Sequence, residues 1–327
     1  MFDVITVGSA TVDVFANTNR VDLIKITTPT FKKDLIAYPS GDKVLLTQLE
    51  FTTGGGGTNC AVALARLGLK VAFLGKIGRR ANSRYVLEVL KQNNVDSSLV
   101  CREKSRTGFS VILDAKGADR TILAFKGSNN DLREEEVKYK KLKTKWFYFS
   151  SMMEKSFETQ KKLAKFAEKH KIKIAYNPSS YLTEKGPAFL KEILSRTDLL
   201  ILNKHEAKLL VGKTNMPILL KKLCELGPKN VIITNGKKGA SCYYEGKFYQ
   251  VFTRRVKVLE TTGAGDAFAS TFLGVIIKKN NPELALKMAT LNAQSVVQNI
   301  GAKKGLLTWS ELFKRSKACA PKLITKE

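Results

Sequence analysis

The chain opens on a short, mostly apolar run, Phe2–Gly8, of the kind that makes a strand covered on both faces. From there to Thr53 the pattern alternates weakly between polar turns, which predicts short antiparallel strands and no long helix. The glycines at 54–57 lead into the small-residue run "TNCAVALARLG". Its pattern predicts a helix over about Thr58–Leu67, ended by Gly68, with Ala61, Ala63 and Ala65 allowing close packing. A buried strand, "KVAFLGKIG", follows. Asn82 then opens a helix with Tyr85, Val86, Val89 and Leu90 on one face. "TGFSVILDAKGADRTILAFKG" reads as a hairpin turning at Lys116-Gly117.

From residue 145 the alternation becomes regular. "KWFYFSS" predicts a strand, "EKSFETQKKLAKFAEKH" a helix and "KIKIAYNPS" a strand. A helix near 183–195 leads to the strand "DLLILN", and further helices precede "NVIITNG". A second hairpin, "ASCYYEGKFYQV", runs on to "VKVLE", which alternates like a strand, and to "DAFASTFLGVII", a helix with an apolar stripe. Two helices close the chain, one from Asn281-Pro282 and one near Thr308. Strands alternating with helices predict an α/β fold: a mainly parallel sheet with helices on both faces. The β-only insertions at about 13–53 and 107–126 fall outside that scheme and are expected to pair as a small second sheet over the ligand edge. No repeat, low-complexity tract or linker divides the chain, so residues 1–327 are read as one domain.

Charge changes the picture next. Lys and Arg number 56 against 29 Asp and Glu, for a formal net charge of +27. A nucleic-acid partner is one reading of such a surface. Lysines outnumber arginines 43 to 13 and are spread along the whole chain, with no arginine–aromatic array beside them, so a lysine-rich composition is preferred and nucleic acid disfavoured. Either way the field favours anionic ligands. No run of about 18 apolar residues points to a membrane, and the N-terminus lacks signal-peptide patterning, so a cytoplasmic location is expected. The five cysteines are scattered without CxxC spacing and are expected to be reduced thiols.

The candidate chemistry lies at Gly263-Ala264-Gly265-Asp266, between the expected strand and a helix start. Glycines let the backbone turn sharply and approach a ligand, and the free N–H groups of a first helical turn attract anions. An aspartate would repel a resting phosphate there. It makes sense if the anion is a phosphoryl group in transit and Asp266 takes the proton of the attacking hydroxyl. The plainer alternative is that Asp266 stabilises the helix start. There is no GxxxxGK[ST] loop, and no GxGxxG follows a strand, which argues against a Walker-type and a nicotinamide site.

"ETTGAGDAF" resembles the C-terminal signature of the ribokinase-like (PfkB) family of sugar and nucleoside kinases, and "GGGGTNCAVALARLG" is similar to its N-terminal one. "DLLILNKHEAKLL" resembles the family's Asn-x-x-Glu motif and "VIITNGKKGA" its Thr-x-Gly-x-x-Gly loop, all in the family's order from Asp3 to about Gly305. The resemblance implies a three-layer α-β-α sandwich with a small β-sheet lid that closes over the sugar, and a homodimer through that lid in many members. It implies Asp266 as catalytic base with the amides of Gly263, Ala264 and Gly265 as anion hole. It implies ATP held by Asn203, Thr234, Gly236, Gly239 and Asn292, with Mg2+ held through water by Asn203 and Glu206. It further implies an acceptor held by Asp13, Gly55, Gly56 and Asn59.

Three departures stand out. Glu260 replaces the family's usual aspartate, which leaves a K+ requirement open. "GRRANSRYV" puts Arg79 and Arg80 where an acidic turn is usual, and Gly56 stands where several relatives carry lysine. The expected reaction is ATP-dependent phosphorylation of a sugar hydroxymethyl group. Alternatives are a nucleoside acceptor of adenosine or cytidine type, with Phe15, Phe109 and Phe125 as base contacts, and a 2-keto-3-deoxy sugar acid met by Arg79, Arg80, Arg106 and Arg120. Outside the class stands a nucleic-acid-binding protein on a kinase fold.

Overall fold

A computed structural model describes residues 1–28, 31–115, 120–318 and 321–326. The expected turn at Lys116-Gly117 and the thiol of Cys319 lie outside the described residues. Strand β1 (Phe2–Val7) passes through the turn at Gly8 into β2 (Thr11–Thr18), β3 (Asp22–Thr27), β4 (Lys32–Ala37) and β5 (Gln48–Gly54). Helix α1 (Gly56–Arg66) and β6 (Val71–Leu74) complete the first unit, and β7 (Lys76–Ile77) leads to α2 (Ala81–Gln92). Next come β8 (Cys101–Arg102), β9 (Gly108–Ala115), β10 (Thr121–Phe125), β11 (Thr144–Ser150), α3 (Glu154–Lys169) and β12 (Lys173–Asn177). Helices α4 (Ser179–Thr183) and α5 (Pro187–Leu194) precede β13 (Leu199–Asn203), α6 (Lys204–Val211), α7 (Met216–Glu225) and β14 (Asn230–Thr234). The chain ends through β15 (Ala240–Tyr244), β16 (Lys247–Val251), α8 (Ala264–Lys279), α9 (Pro282–Val296), α10 (Trp309–Ala318) and β17 (Leu323–Lys326).

Among the described residues the central sheet has nine strands, in the order β17-β16-β15-β14-β13-β12-β11-β1-β6. Those from β6 to β14 are parallel, and the β15, β16 and β17 edge is antiparallel. Parallel strands are buried on both faces, so alternate residues feed two cores. Trp146 and Tyr148 pack on one side with α1, α8 and α9, and Phe147 and Phe149 on the other with α3, α5 and α7. This is the three-layer architecture that the pattern predicted.

The two insertions meet in a second sheet, β10-β9-β2-β5, mixed in direction because β2 runs parallel to β9 and antiparallel to β5. The β3–β4 hairpin stands apart as a two-stranded sheet.

Three local expectations need correcting. "VKVLE" is not a strand: residues 252–260 pair with no sheet, because β17 already occupies the edge beside β16. Helix α8 carries no single stripe, since Ala267–Ile276 are all buried, as befits a helix enclosed between neighbours rather than lying on a surface. In α2, Val86 and Leu90 are buried, but Tyr85 points outward and donates its hydroxyl to the Phe51 carbonyl at 3.2 Å.

Candidate active site

The turn into α8 is built on Gly263, whose φ of 80° is left-handed. A Cβ there would stand 2.3 Å from the Cβ of Ala302, so both backbone and space demand glycine. The amides of Gly263, Gly265 and Asp266 have no acceptor among the described residues, whereas the Ala264 N–H is drawn back to the Thr261 carbonyl at 3.3 Å. The unpaired donors are therefore those of Gly263, Gly265 and Asp266 rather than the three consecutive amides first expected, and they sit at the positive end of the α8 dipole.

Asp266 itself lies in the first turn of α8. Its Oδ2 accepts a 2.8 Å hydrogen bond from Asn59 Nδ2. Burial raises its pKa above the ordinary carboxylate value, and the Asn59 bond and the charge of Lys303 act against that rise. Its Oδ1 looks toward Gly56, where an added Cβ would stand 3.6 Å away. Asn59 is held by α1, so the two signature motifs, far apart in sequence, meet at the carboxylate.

Asp13, expected on the acceptor side, is delivered by β2. Asp13 is 7% exposed and takes a 2.8 Å bond from the Thr11 hydroxyl. The turn that carries β2 away from β1 is pinned by Asn129, which accepts from the Ala10 N–H at 2.9 Å and donates to the Ala10 carbonyl at 3.0 Å. Gly55 has a φ of 92° and its Cβ would meet the Ser9 carbonyl at 2.5 Å. Gly54, absent from the expected set, matters as much, since its Cβ would fall 1.8 Å from Asp13 Oδ2. Ser150, also unexpected, is buried with an unpartnered hydroxyl beside Gly56.

On the other side of the turn lies a cavity of about 650 Å3. Thr234, Gly236 and Gly239 line it together with Ala264 and Gly265. Its apolar floor comes from Val256, Phe268 and Val297, and Lys237 and Arg255 add positive charge. Thr253 to Val256, Val258 and Thr261, from the irregular segment after β16, form one wall. Asn292 does not reach this cavity. It is fully buried, donates to Thr271 Oγ1 at 2.7 Å and accepts from the Leu307 N–H at 2.9 Å. Thr290, Ala293 and Gln294, on the neighbouring face of α9, line the cavity instead.

Asn203 and Glu206 form the reciprocal cap of α6: each side chain accepts from the other's backbone N–H at 2.9 Å. Burial raises the pKa of Glu206. Its Oε1 has a 3.3 Å bond from the Ser180 hydroxyl, and the neighbouring Ser179 hydroxyl is buried without a partner. No group of three or more His, Cys, Asp or Glu suited to a metal occurs among the described residues. These residues fit an ion carried on a phosphate and reached through water, not a cage of direct protein ligands.

The departures also find places. Glu260 Oε1 is occupied, accepting from Arg120 at 2.8 Å and from the Thr262 amide at 2.8 Å, and Arg120 also donates to the Thr261 hydroxyl. Arg79, Arg80 and Arg106 are exposed. The cations whose charge acts on Asp13 are Lys126 and Lys303. Nothing in their local sequence marks them, because both lie in irregular loops.

A family model described as pfkB family carbohydrate kinase matches residues 3–309. The ribokinase of Bacillus subtilis (strain 168) is 29% identical over 283 residues, 84% of this chain and 90% of that protein. Arabidopsis thaliana ribokinase, solved with ribose and ATP, superposes at a TM-score of 0.80 with 21% identity, covering 96% of this chain and 98% of that one. An E. coli protein provisionally named ribokinase II, solved with ATP and Mg2+, superposes at 0.82 with 18% identity, covering 97% and 100%. At these identities the structural likeness is one of fold.

Proposed function

The chain belongs to the pfkB family of carbohydrate kinases, and from that premise we propose that it transfers the γ-phosphoryl group of ATP to a hydroxymethyl group of a sugar. One observation carries the proposal: Asp266 sits between the cavity lined by Ala264 and Gly265 and the acceptor groups Asn59, Gly56 and Asp13. In this reading Asp266 Oδ1 takes the hydroxyl proton as the acceptor oxygen bonds to phosphorus, and the bond from phosphorus to the bridging oxygen of ADP breaks. The amides of Gly263, Gly265 and Asp266 face the charge on the moving group. Asp13, with two acceptor oxygens, suits vicinal hydroxyls. Mg2+ would be held through water by Asn203 and Glu206 and would supply neutralising charge on the phosphates. Relatives solved with ATP, ribose or Mg2+ support the choice of ligands.

A sugar is favoured over a nucleoside by the register of the small sheet. Phe15 shares a face with Asp13, but Phe109 and Phe125 align with Val12 on the opposite face, so the three rings do not converge on one base. The sugar-acid reading loses Arg120 to Glu260. The small sheet would act as the lid that excludes water from the acceptor. Its face opposite Asp13 exposes Leu49, Phe51, Leu123 and Phe125 at 53–56%, and we assign that face to a second copy of the chain. The Arg120 pairing leaves Glu260 no free charge for K+, so K+ dependence is not expected. Free thiols at Cys60, Cys101, Cys224 and Cys242 suit a reducing compartment such as the cytoplasm.

The test is ADP release with Mg-ATP across pentoses, hexoses, keto-deoxy acids and nucleosides. Turnover on a sugar that falls by about 100-fold or more in Asp266→Asn, as for a general base, is the expected result. Full activity in the variant would sink the role given to Asp266.

A further inference from the structure

Lys303 lies in the loop between α9 and α10, far from both signature motifs in sequence. Its ammonium donates to the Thr53 carbonyl at 2.7 Å, to Thr58 Oγ1 at 3.2 Å and to Asn59 Oδ1 at 2.6 Å. Three hydrogens meet three acceptors, and an ammonium has nothing else to offer. A carboxamide can rotate by half a turn and exchange its oxygen for its nitrogen. Here that rotation would set N–H against ammonium and carbonyl against carboxylate, two repulsive contacts in place of two strong bonds. Asn59 is 4% exposed, so no water compensates the reversal.

We infer that Lys303 is a positioning residue for the transfer: it locks the Asn59 amide so that Nδ2 faces Asp266. Asp266 Oδ2 is thereby occupied at 2.8 Å, and Oδ1 is left for the acceptor hydroxyl. The inference rests on the reading of Asp266 as base. The charged or titratable groups facing Lys303 are Asp13 from β2, Asp266 from α8 and Cys60 from α1. Burial lowers the pKa of Lys303 to about 8, with Asp13 and Asp266 acting the other way. The charged lysine is therefore the form present below about pH 8 in the ligand-free protein, and it is lost as pH rises through that value.

The experiment compares wild type, Lys303→Met, Asn59→Ala, the double variant and Asp266→Asn. For Lys303→Met we expect kcat to fall about ten- to a hundredfold through misorientation with KM for ATP unchanged. Its acidic limb of kcat/KM should move about 1 pH unit upward, because a neighbouring positive charge is gone. The same upward movement should appear in the Asp266 carboxyl carbon-13 signal of the ligand-free protein. The double variant should be no slower than Asn59→Ala alone. In Lys303→Arg, which keeps its charge, the alkaline limb near pH 8 should move up, and this variant decides the matter if Lys303→Met does not fold. An unmoved acidic limb and carbon signal, with additive losses, or an unmoved alkaline limb in Lys303→Arg, would overturn the inference while an inactive Asp266→Asn left the base intact. An active Asp266→Asn would instead remove the base reading itself.

Discussion

At the scale of single residues, the site depends on positions where any side chain is a fault. Gly263 combines a left-handed φ with a neighbour 2.3 Å from its missing Cβ. Gly263→Ala should lose about 1–2 kcal/mol from the backbone alone, and more from displacing Ala302. Thermal unfolding would register the loss as a lower Tm. Because the same shift moves the unpaired amides, activity should drop further than stability does. A variant with wild-type Tm and rate would show that the turn tolerates a Cβ. Asn292 makes the opposite point. The family resemblance implies Asn292 beside the nucleotide, yet its amide ties α9 to α8 and to the Leu307 backbone. Which face of a helix looks into a cavity depends on its neighbours, and the local pattern does not carry that.

At the scale of elements, the small sheet is rooted in a charge cluster around one buried lysine. Lys76, on β7, has a side chain 2% exposed and reaches Glu103 at 2.7 Å, Asp131 at 3.1 Å and Glu136 at 2.9 Å. The Lys76 carbonyl also accepts from the Ser128 hydroxyl at 3.0 Å, which fixes the chain just after β10. Lys76→Met would leave three carboxylates around an apolar stem. We expect a loss of about 1–3 kcal/mol, less than for a fully buried pair, because the carboxylates left behind are 27–39% exposed and water screens them. Urea unfolding measures it, and a loss below about 1 kcal/mol would mean that solvent screens the cluster completely. Strands β2 and β5 of the first insertion and β9 and β10 of the second did assemble into one sheet, with the β3–β4 hairpin left apart, because a two-stranded piece cannot cover its apolar residues alone. The failure at "VKVLE" has the converse cause: an alternating pattern makes a strand possible, but pairing needs a free edge, and β17 had taken it.

At the scale of the whole molecule, the exposed row Leu49, Phe51, Leu123 and Phe125 lies on the side of the small sheet away from Asp13. If a second copy covers it, Phe51→Glu should convert a dimer to a monomer in light scattering while leaving the nucleotide cavity intact. A wild-type monomer at high concentration would remove the assignment. The net charge of +27 acts at this scale too, since a positive field raises the encounter rate with a polyanionic nucleotide. No helix among the described residues is long and apolar enough to cross a membrane.

The sequence by itself determined what is periodic or locally strained. The alternation of strands and helices from residue 145 onward, the small-residue helix after the glycines, the helix start after Gly263 and the Asn281 cap all follow from contacts within a few residues. That is enough for the layer architecture and for the motifs that carry the family. Tertiary structure alone decided which groups converge. It brought Asn59 of α1 to Asp266 of α8, 207 positions apart, and placed Lys303, from a loop without pattern, against Asn59. It also set Gly54 against Asp13 and left the amide of Asp266, not that of Ala264, without an acceptor among the described residues. These are through-space contacts between side chains on different elements, fixed by how a finished sheet and its helices pack, and a chain read in one dimension does not contain those distances.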